Sequence, residues 1–179
     1  MRFRRDQLSA GTLVLRSEQV LRRLMGVKAL TQARLLCTYL SHGTEPMTDP
    51  IVEWAWRVGK QVVVPRVEGE QLQLIAFDRW KTLRRGRFGI REPAVATGKT
   101  VPATQVDCFI VPGLAFDRQG FRMGYGKGYF DRLLAGVSGF KIGLCFAFQL
   151  TDALPHDPWD VPLSAVVTDK EIVDCTKHL

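Results

Sequence analysis

A chain of 179 residues has the length of one domain with a single sizeable core, and 46% hydrophobic with 24% charged residues is a globular composition, not a disordered one. The 25 Lys and Arg outnumber the 18 Asp and Glu, and the resulting charge of +7 favours anionic ligands without choosing among nucleotides, nucleic acid and anionic surfaces. No stretch of 18 apolar residues occurs and the apolar run after "MRFRRDQL" is too short for a signal-peptide core, so the expected compartment is the cytoplasm, with no membrane partner.

Near the start, "SEQVLRRLMG" carries Val20, Leu21, Leu24 and Met25 at helical spacing, with Ser17 as N-cap and Gly26 as stop. "ARLLCTYLS" is a continuous apolar run, the pattern of a strand covered on both faces. In "TDPIVEWAWRVG", Thr48 caps a second helix, Pro50 sits in its first turn, and Ile51, Val52, Ala55 and Val58 form one stripe. "QVVVPRV" and "LQLIAF" then read as strands, giving a βαβ unit. Residues 78–104, rich in Gly, Pro and basic residues, read as a long surface loop.

The next strand is "VDCFIVPG", followed after a glycine-rich stretch by the helix "YFDRLLAG". "FKIGLCFAF" is a further strand, "LPHDPWDVPL" an irregular connector, and "SAVVTD" a last short strand. Cys37, Cys108 and Cys145 lie in strand-like runs, and these three with Cys175 contain no CxxC, so all four read as reduced core thiols rather than a zinc site or disulfides. The alternation predicts one α/β layered domain over 1–179, Rossmann-like, with a mostly parallel sheet flanked by helices. Ligands of such sheets bind beyond the carboxyl ends of the strands, where residues 112–128 begin.

"GLAFDRQGFRMGYGKGYFDRLL", residues 113–134, places Gly124, Gly126 and Gly128 at alternate positions around Lys127. Glycines so spaced free the backbone to take positive φ and to expose consecutive N–H groups as an anion nest, ahead of a helix whose first turn also attracts negative charge. Arg122 and Lys127 flank the nest, the first a planar fork and the second a mobile point charge. Neither a Walker A loop nor a GxGxxG fingerprint fits, because Lys127 is followed by Gly128 and the glycines run GxGxG. Asp131 and Asp160 are the carboxylates available for a magnesium ion beside bound phosphates; Asp131 is equally suited to complementing the helix dipole.

The same block closely resembles the signature of 5-formyltetrahydrofolate cyclo-ligases, also called 5,10-methenyltetrahydrofolate synthetases. "YLSHGTEPMT", "GKQVVVPRV", "GRFGIREP" and "FQLTDALPHDPWDVPLSAVVT" extend the likeness, in the same order, over roughly residues 9 to 168. The resemblance implies a cytoplasmic enzyme that uses ATP and Mg²⁺ to close 5-formyltetrahydrofolate to 5,10-methenyltetrahydrofolate, through a phosphorylated formyl group; a preference for polyglutamylated forms is left open by the sequence. It implies catalytic roles for Lys127, Arg122 and Tyr129, and ATP contacts from Arg122, Gly124, Tyr125, Gly126, Lys127, Gly128 and Tyr129. Leu40, Glu45, Phe88 and Tyr129 would hold the folate, and Asp131 and Asp160 the metal.

The chain departs from that pattern where the family carries an N-terminal helical stretch with a Lys and an Arg that reach ATP. This sequence is read as starting after that stretch, and Arg2 and Arg5, with Arg4, are the expected substitutes. Pro46 and Met47 make the Glu-x-x-Thr segment less polar than usual, and Phe130 replaces a common tyrosine. The main alternative is a non-catalytic folate, nucleotide or RNA binder on the same scaffold. A third reading, a sugar-phosphate isomerase or CoA transferase, would need a carboxylate base, for which Glu92 is the nominee. Lys127, Tyr129 and Asp131 together favour the enzyme, acting as a monomer on a small molecule without nucleic acid.

Overall fold

The computed structural model describes residues 1–86, 89, 91–93 and 99–178. Helices α1 (Arg2–Asp6), α2 (Ala10–Leu24) and α3 (Lys28–Gln32) precede strand β1 (Leu35–Thr38). Helix α4 (Asp49–Arg57) leads into β2 (Gln61–Glu68), which turns directly into β3 (Gln71–Ala76). The short strands β4 (Leu83–Arg85), β5 (Arg91–Pro93) and β6 (Thr100–Val101) then lie within the segment read as a loop. After them come β7 (Cys108–Val111), β8 (Ala115–Asp117), β9 (Arg122–Met123), α5 (Tyr129–Leu134), β10 (Phe140–Leu144), β11 (Leu150–Thr151), β12 (Ala165–Val167) and β13 (Ile172–Asp174).

Eight strands form the main sheet in the order β13-β12-β10-β7-β1-β2-β3-β6. From β12 to β2 every pairing is parallel; β13, β3 and β6 join antiparallel at the edges. The centre is thus the parallel layer expected from the alternating pattern. The edges differ because a hairpin turn at Gly69, with φ of 60°, returns the chain antiparallel at once instead of through a helix. The chain steps from β1 to β2 on one side and then crosses to β7 on the other, so the topological switch point lies between β1 and β7.

The continuous apolar runs are explained by burial on both faces. Leu36, Val62, Val64, Ile110, Ile142 and Val167 face a core completed by Val20 and Leu24 of α2, Leu30 of α3, and Ile51, Val52 and Ala55 of α4. Leu35, Cys37, Val63, Phe109, Val111 and Val166 face Phe116, Leu134 and Leu163 on the other side. Gly143 in β10 is required by close approach, since a Cβ there would stand 2.5 Å from the Phe116 ring and 2.8 Å from Leu163. All four cysteines are free and buried, and burial pushes the thiol of Cys108 up to about 12. No helix among the described residues is long and apolar enough to cross a membrane.

Two local expectations change. Helix α2 begins at Ala10, not after Ser17: the Ser9 hydroxyl caps it by accepting the Thr12 N–H at 3.2 Å. Ser17 lies buried within the helix and its Oγ accepts the Met47 N–H at 3.1 Å, a tertiary bond invisible to local pattern. Thr48 does occupy the N-cap of α4, but its hydroxyl donates to the Tyr39 carbonyl at 2.7 Å and accepts the Ser41 N–H at 3.0 Å. It therefore folds the segment after β1 back on itself.

Candidate active site

Two chain segments meet beyond the switch point. One leaves β1 through Tyr39, Leu40 and Glu45; the other leaves β7 through Pro112 and Gly113 into the β8–β9 hairpin. Buried Asp117 anchors that hairpin, its carboxylate accepting N–H bonds from Gln119 at 3.0 Å, Phe121 at 2.8 Å and Leu154 at 2.9 Å. From this base the glycine loop projects to α5.

Gly126 and Gly128 hold φ of 77° and 61°, the left-handed values that favour glycine. The backbone N–H groups of residues 124–128 donate to no acceptor among the described residues. They form an exposed run of donors, with Lys127 exposed among them. The loop is held from behind. Arg132 of α5 donates through Nη2 to the carbonyls of Lys127 at 2.9 Å and Glu70 at 2.7 Å, and through Nε to Glu70 at 3.1 Å. The Tyr129 hydroxyl donates to the Gly69 carbonyl at 3.4 Å, so the β2–β3 turn is tied to the start of α5.

Arg5 closes the opposite side. It is 3% exposed, donates through Nη2 to the Tyr125 hydroxyl at 3.2 Å, and has Nε and Nη1 buried without an acceptor among the described residues. Its charge also acts on Glu45, whose carboxyl is raised above the ordinary 4.5 because burial outweighs the His42 N–H bond and the nearby Arg5. One guanidinium thus links the glycine loop with the glutamate after β1. Arg2 is not brought there: it is exposed and pairs with Asp6 at 3.6 Å.

Arg122 is buried behind the loop and donates to Asp131 Oδ1 at 2.8 Å and to the Val161 carbonyl at 3.2 Å. Burial lowers its pKa, while Asp131 and Asp160 oppose that shift, which places both carboxylates around this one cation. Asp160 Oδ2 accepts the Asp157 N–H at 2.8 Å. The described residues contain no group of three or more His, Cys, Asp or Glu that could hold a metal by themselves. Leu40 is 5% exposed and packs in the core beside Tyr39. Phe88 lies outside the described residues. Glu92 pairs with Arg84 at 3.7 Å on the β4–β5 hairpin.

A depression of ≈ 640 Å³ lies at the other end of the sheet, lined by Arg34, Lys60, Gln105 and Asp107. Its polar groups are engaged in structure: the Asp107 carboxylate accepts the Arg34 and Leu35 N–H groups, and Lys60 donates to the Thr31 and Ala33 carbonyls. The site is therefore defined by free donors at the switch point and not by cavity size. Sequence reading missed Arg132 and the Gly69–Glu70 turn, since their contact joins residues 62 positions apart.

Fold and site together define a doubly wound α/β protein with an exposed loop of free backbone donors at its switch point. A sequence model of the 5-formyltetrahydrofolate cyclo-ligase family matches residues 1–169. The chain is 32% identical over 161 residues to the 5-formyltetrahydrofolate cyclo-ligase of Escherichia coli strain K12, covering 87% of this chain and 88% of that one. The solution structure of a 5,10-methenyltetrahydrofolate synthetase from Aquifex aeolicus superposes with a TM-score of 0.85 at 34% identity, covering 97% and 88% of the two chains. A Mycoplasma pneumoniae 5,10-methenyltetrahydrofolate synthetase shares the fold, with a TM-score of 0.75 at 24% identity and 93% of each chain covered. The chain belongs to the 5-formyltetrahydrofolate cyclo-ligase family, a family of enzymes.

Proposed function

We propose that this protein cyclises 5-formyltetrahydrofolate to 5,10-methenyltetrahydrofolate at the expense of ATP, with Mg²⁺, releasing ADP and phosphate. The observation that carries this reading is the run of N–H groups at 124–128, unbonded among the described residues, beside the buried guanidinium of Arg5, whose Nε and Nη1 lack acceptors there and whose charge also acts on Glu45. An anionic phosphate chain would satisfy donors that otherwise stay unpaired, and Glu45 suits the amino and ring N–H donors of a pterin.

A formamide oxygen is a poor leaving group. In the proposed reaction the γ-phosphoryl passes from ATP to that oxygen with ADP as the leaving group, N10 attacks the formyl carbon and gives up its proton to solvent, and the carbon–oxygen bond breaks with release of phosphate. The protein's task is positioning and positive charge. The loop amides, Arg5 and Lys127 supply the charge, and Lys127, on a flexible stem, follows the phosphoryl group as it moves. Tyr129, tied to Gly69, stands at the start of α5 between nucleotide and folate. Leu40 contributes an apolar wall from the core side.

Asp131 and Asp160 each offer one carboxylate oxygen with no hydrogen bond among the described residues, and both surround Arg122. Two such oxygens fit a Mg²⁺ ion that takes its remaining ligands from phosphates and water. When bound, that ion neutralises phosphate charge. Arg122 then acts mainly as the strut that fixes Asp131.

The deciding test is formation of the methenyl chromophore from 5-formyltetrahydrofolate, ATP and Mg²⁺, with loss of the signal when ATP is omitted. Binding of both ligands without product would instead favour a non-catalytic binder.

A further inference from the structure

Arg66 is the second buried cation whose donors lack acceptors. It is 7% exposed, its Nε and Nη1 have no hydrogen-bond partner among the described residues, and Nη2 alone donates, to Gln73 Oε1 at 3.2 Å and to Glu68 Oε2 at 3.5 Å. Arg5 and Arg66 contribute all of the buried, unpartnered side-chain polar atoms found among the described residues. A buried guanidinium left so incomplete is unfavourable relative to one fully bonded. An apolar residue would suit the position better unless a further acceptor arrives.

Its place in the fold suggests where that acceptor comes from. Strand β1 pairs with β2 only as far as Val63, whereas β2 continues to Glu68 on the carboxyl side of the sheet. Arg66 stands in this overhang, three residues before the turn that Tyr129 and Arg132 tie to the glycine loop. By strand alternation it shares the face of Val62 and Val64, the face on which Leu40 and α4 pack. Strand β5 packs against β2, and its Arg91 is held to Asp49 at the start of α4 through contacts of 2.8 and 2.6 Å. Arg66 is thus enclosed between the β4–β5 hairpin and the strand end nearest the site. Gln73, its cross-strand partner, orients the guanidinium through Nη2 and leaves Nε and Nη1 to a ligand.

We propose that Arg66 is a ligand-binding residue that accepts an oxyanion at the carboxyl end of β2. The chemistry required is an anionic oxygen, which a folate supplies through its glutamate carboxylates and a nucleotide through its phosphates. The inference rests on the folate and ATP reading given above, but its readout is affinity rather than turnover. Wild type, Arg66→Met and Arg66→Lys are titrated separately with 5-formyltetrahydrofolate and with ATP, following tryptophan fluorescence, and their melting temperatures are measured without ligand.

In the expected result, Arg66→Met weakens one ligand at least about tenfold, leaves the other within about twofold, and melts no lower than wild type, with Arg66→Lys intermediate. Loss of folate affinity identifies the carboxylate, and loss of ATP affinity the phosphate. Unchanged affinity for both ligands, or a lowered melting temperature with proportionate weakening of both, overturns the proposal. A wild type that binds both ligands but forms no product removes the catalytic reading while the affinities still decide the role of Arg66.

Discussion

Among the described residues Lys127 has no structural duty that competes with a role at a phosphate: it is exposed, and only its carbonyl is engaged there, by Arg132. Lys127→Ala should therefore lower kcat by roughly 10²- to 10³-fold, the scale of removing one charge-stabilising donor, with an unchanged melting temperature. A parallel loss of stability would assign the lysine to folding instead. Glu45 makes a different prediction. Its raised pKa means that, between the ordinary and the raised value, the folded protein holds a proton that the unfolded chain has released. Stability conferred by that proton is present below 4.5 and lost as pH rises through the folded-state value. Urea unfolding of Glu45→Gln across this range should show a shallower decline than wild type. Parallel curves would mean that the burial of Glu45 has been overstated. Pterin donors prefer the ionised carboxylate, so folate affinity should also fall as pH drops through the same range.

The elements explain how an exposed glycine loop keeps its shape. Helix α5 has six residues, too few for its dipole to organise the site, and the order comes from Arg132, which grips Lys127 on one side and the β2–β3 turn on the other. Arg132→Ala should speed amide exchange at residues 124–128 and reduce kcat/KM by about tenfold, while the core strands remain protected. Unaltered exchange in the loop would show that its geometry is set without this tie. Behind the loop, the Phe116 ring of β8 packs so close over Gly143 of β10 that a Cβ there would stand 2.5 Å from it. Gly143→Ala should destabilise the protein by about 1–3 kcal/mol in chemical denaturation, because either the ring or Leu163 must move. Full stability in that variant would mean that the layer is loosely packed.

At the scale of the whole molecule, the two segments that meet at the switch point follow the carboxyl ends of the neighbouring parallel strands β1 and β7, and Arg5 reaches both from the N-terminal helix. Ligands that bridge them should stabilise the native state as one unit. At about 100 times Kd, each should add about 2.7 kcal/mol and raise the melting temperature. An unmoved melting temperature with both ligands present would contradict a shared site. The four buried cysteines should resist thiol reagents until global unfolding, since burial holds the Cys37, Cys108 and Cys145 thiols well above the ordinary range.

What the sequence determined on its own was whatever depends on local chemistry. Continuous apolar runs at 35–40, 61–67 and 108–111 dictate doubly covered strands, and Thr48 with Pro50 dictates the start of α4. The alternating glycines around Lys127 dictate a backbone able to expose its amides, and the wider motif order was sufficient to place the chain in its family. What only the tertiary structure decided was pairing across long separations. Arg122 is turned inward to Asp131 instead of outward to the nest, Arg5 and not Arg2 is carried to Tyr125 and Glu45, and Ser17 bonds to Met47 rather than capping a helix. Arg66, which strand pattern treats as ordinary, is left buried with donors unpaired. In each case the deciding quantity is which acceptor a buried donor reaches once the sheet has closed, and that depends on strand order and register, which local spacing does not encode.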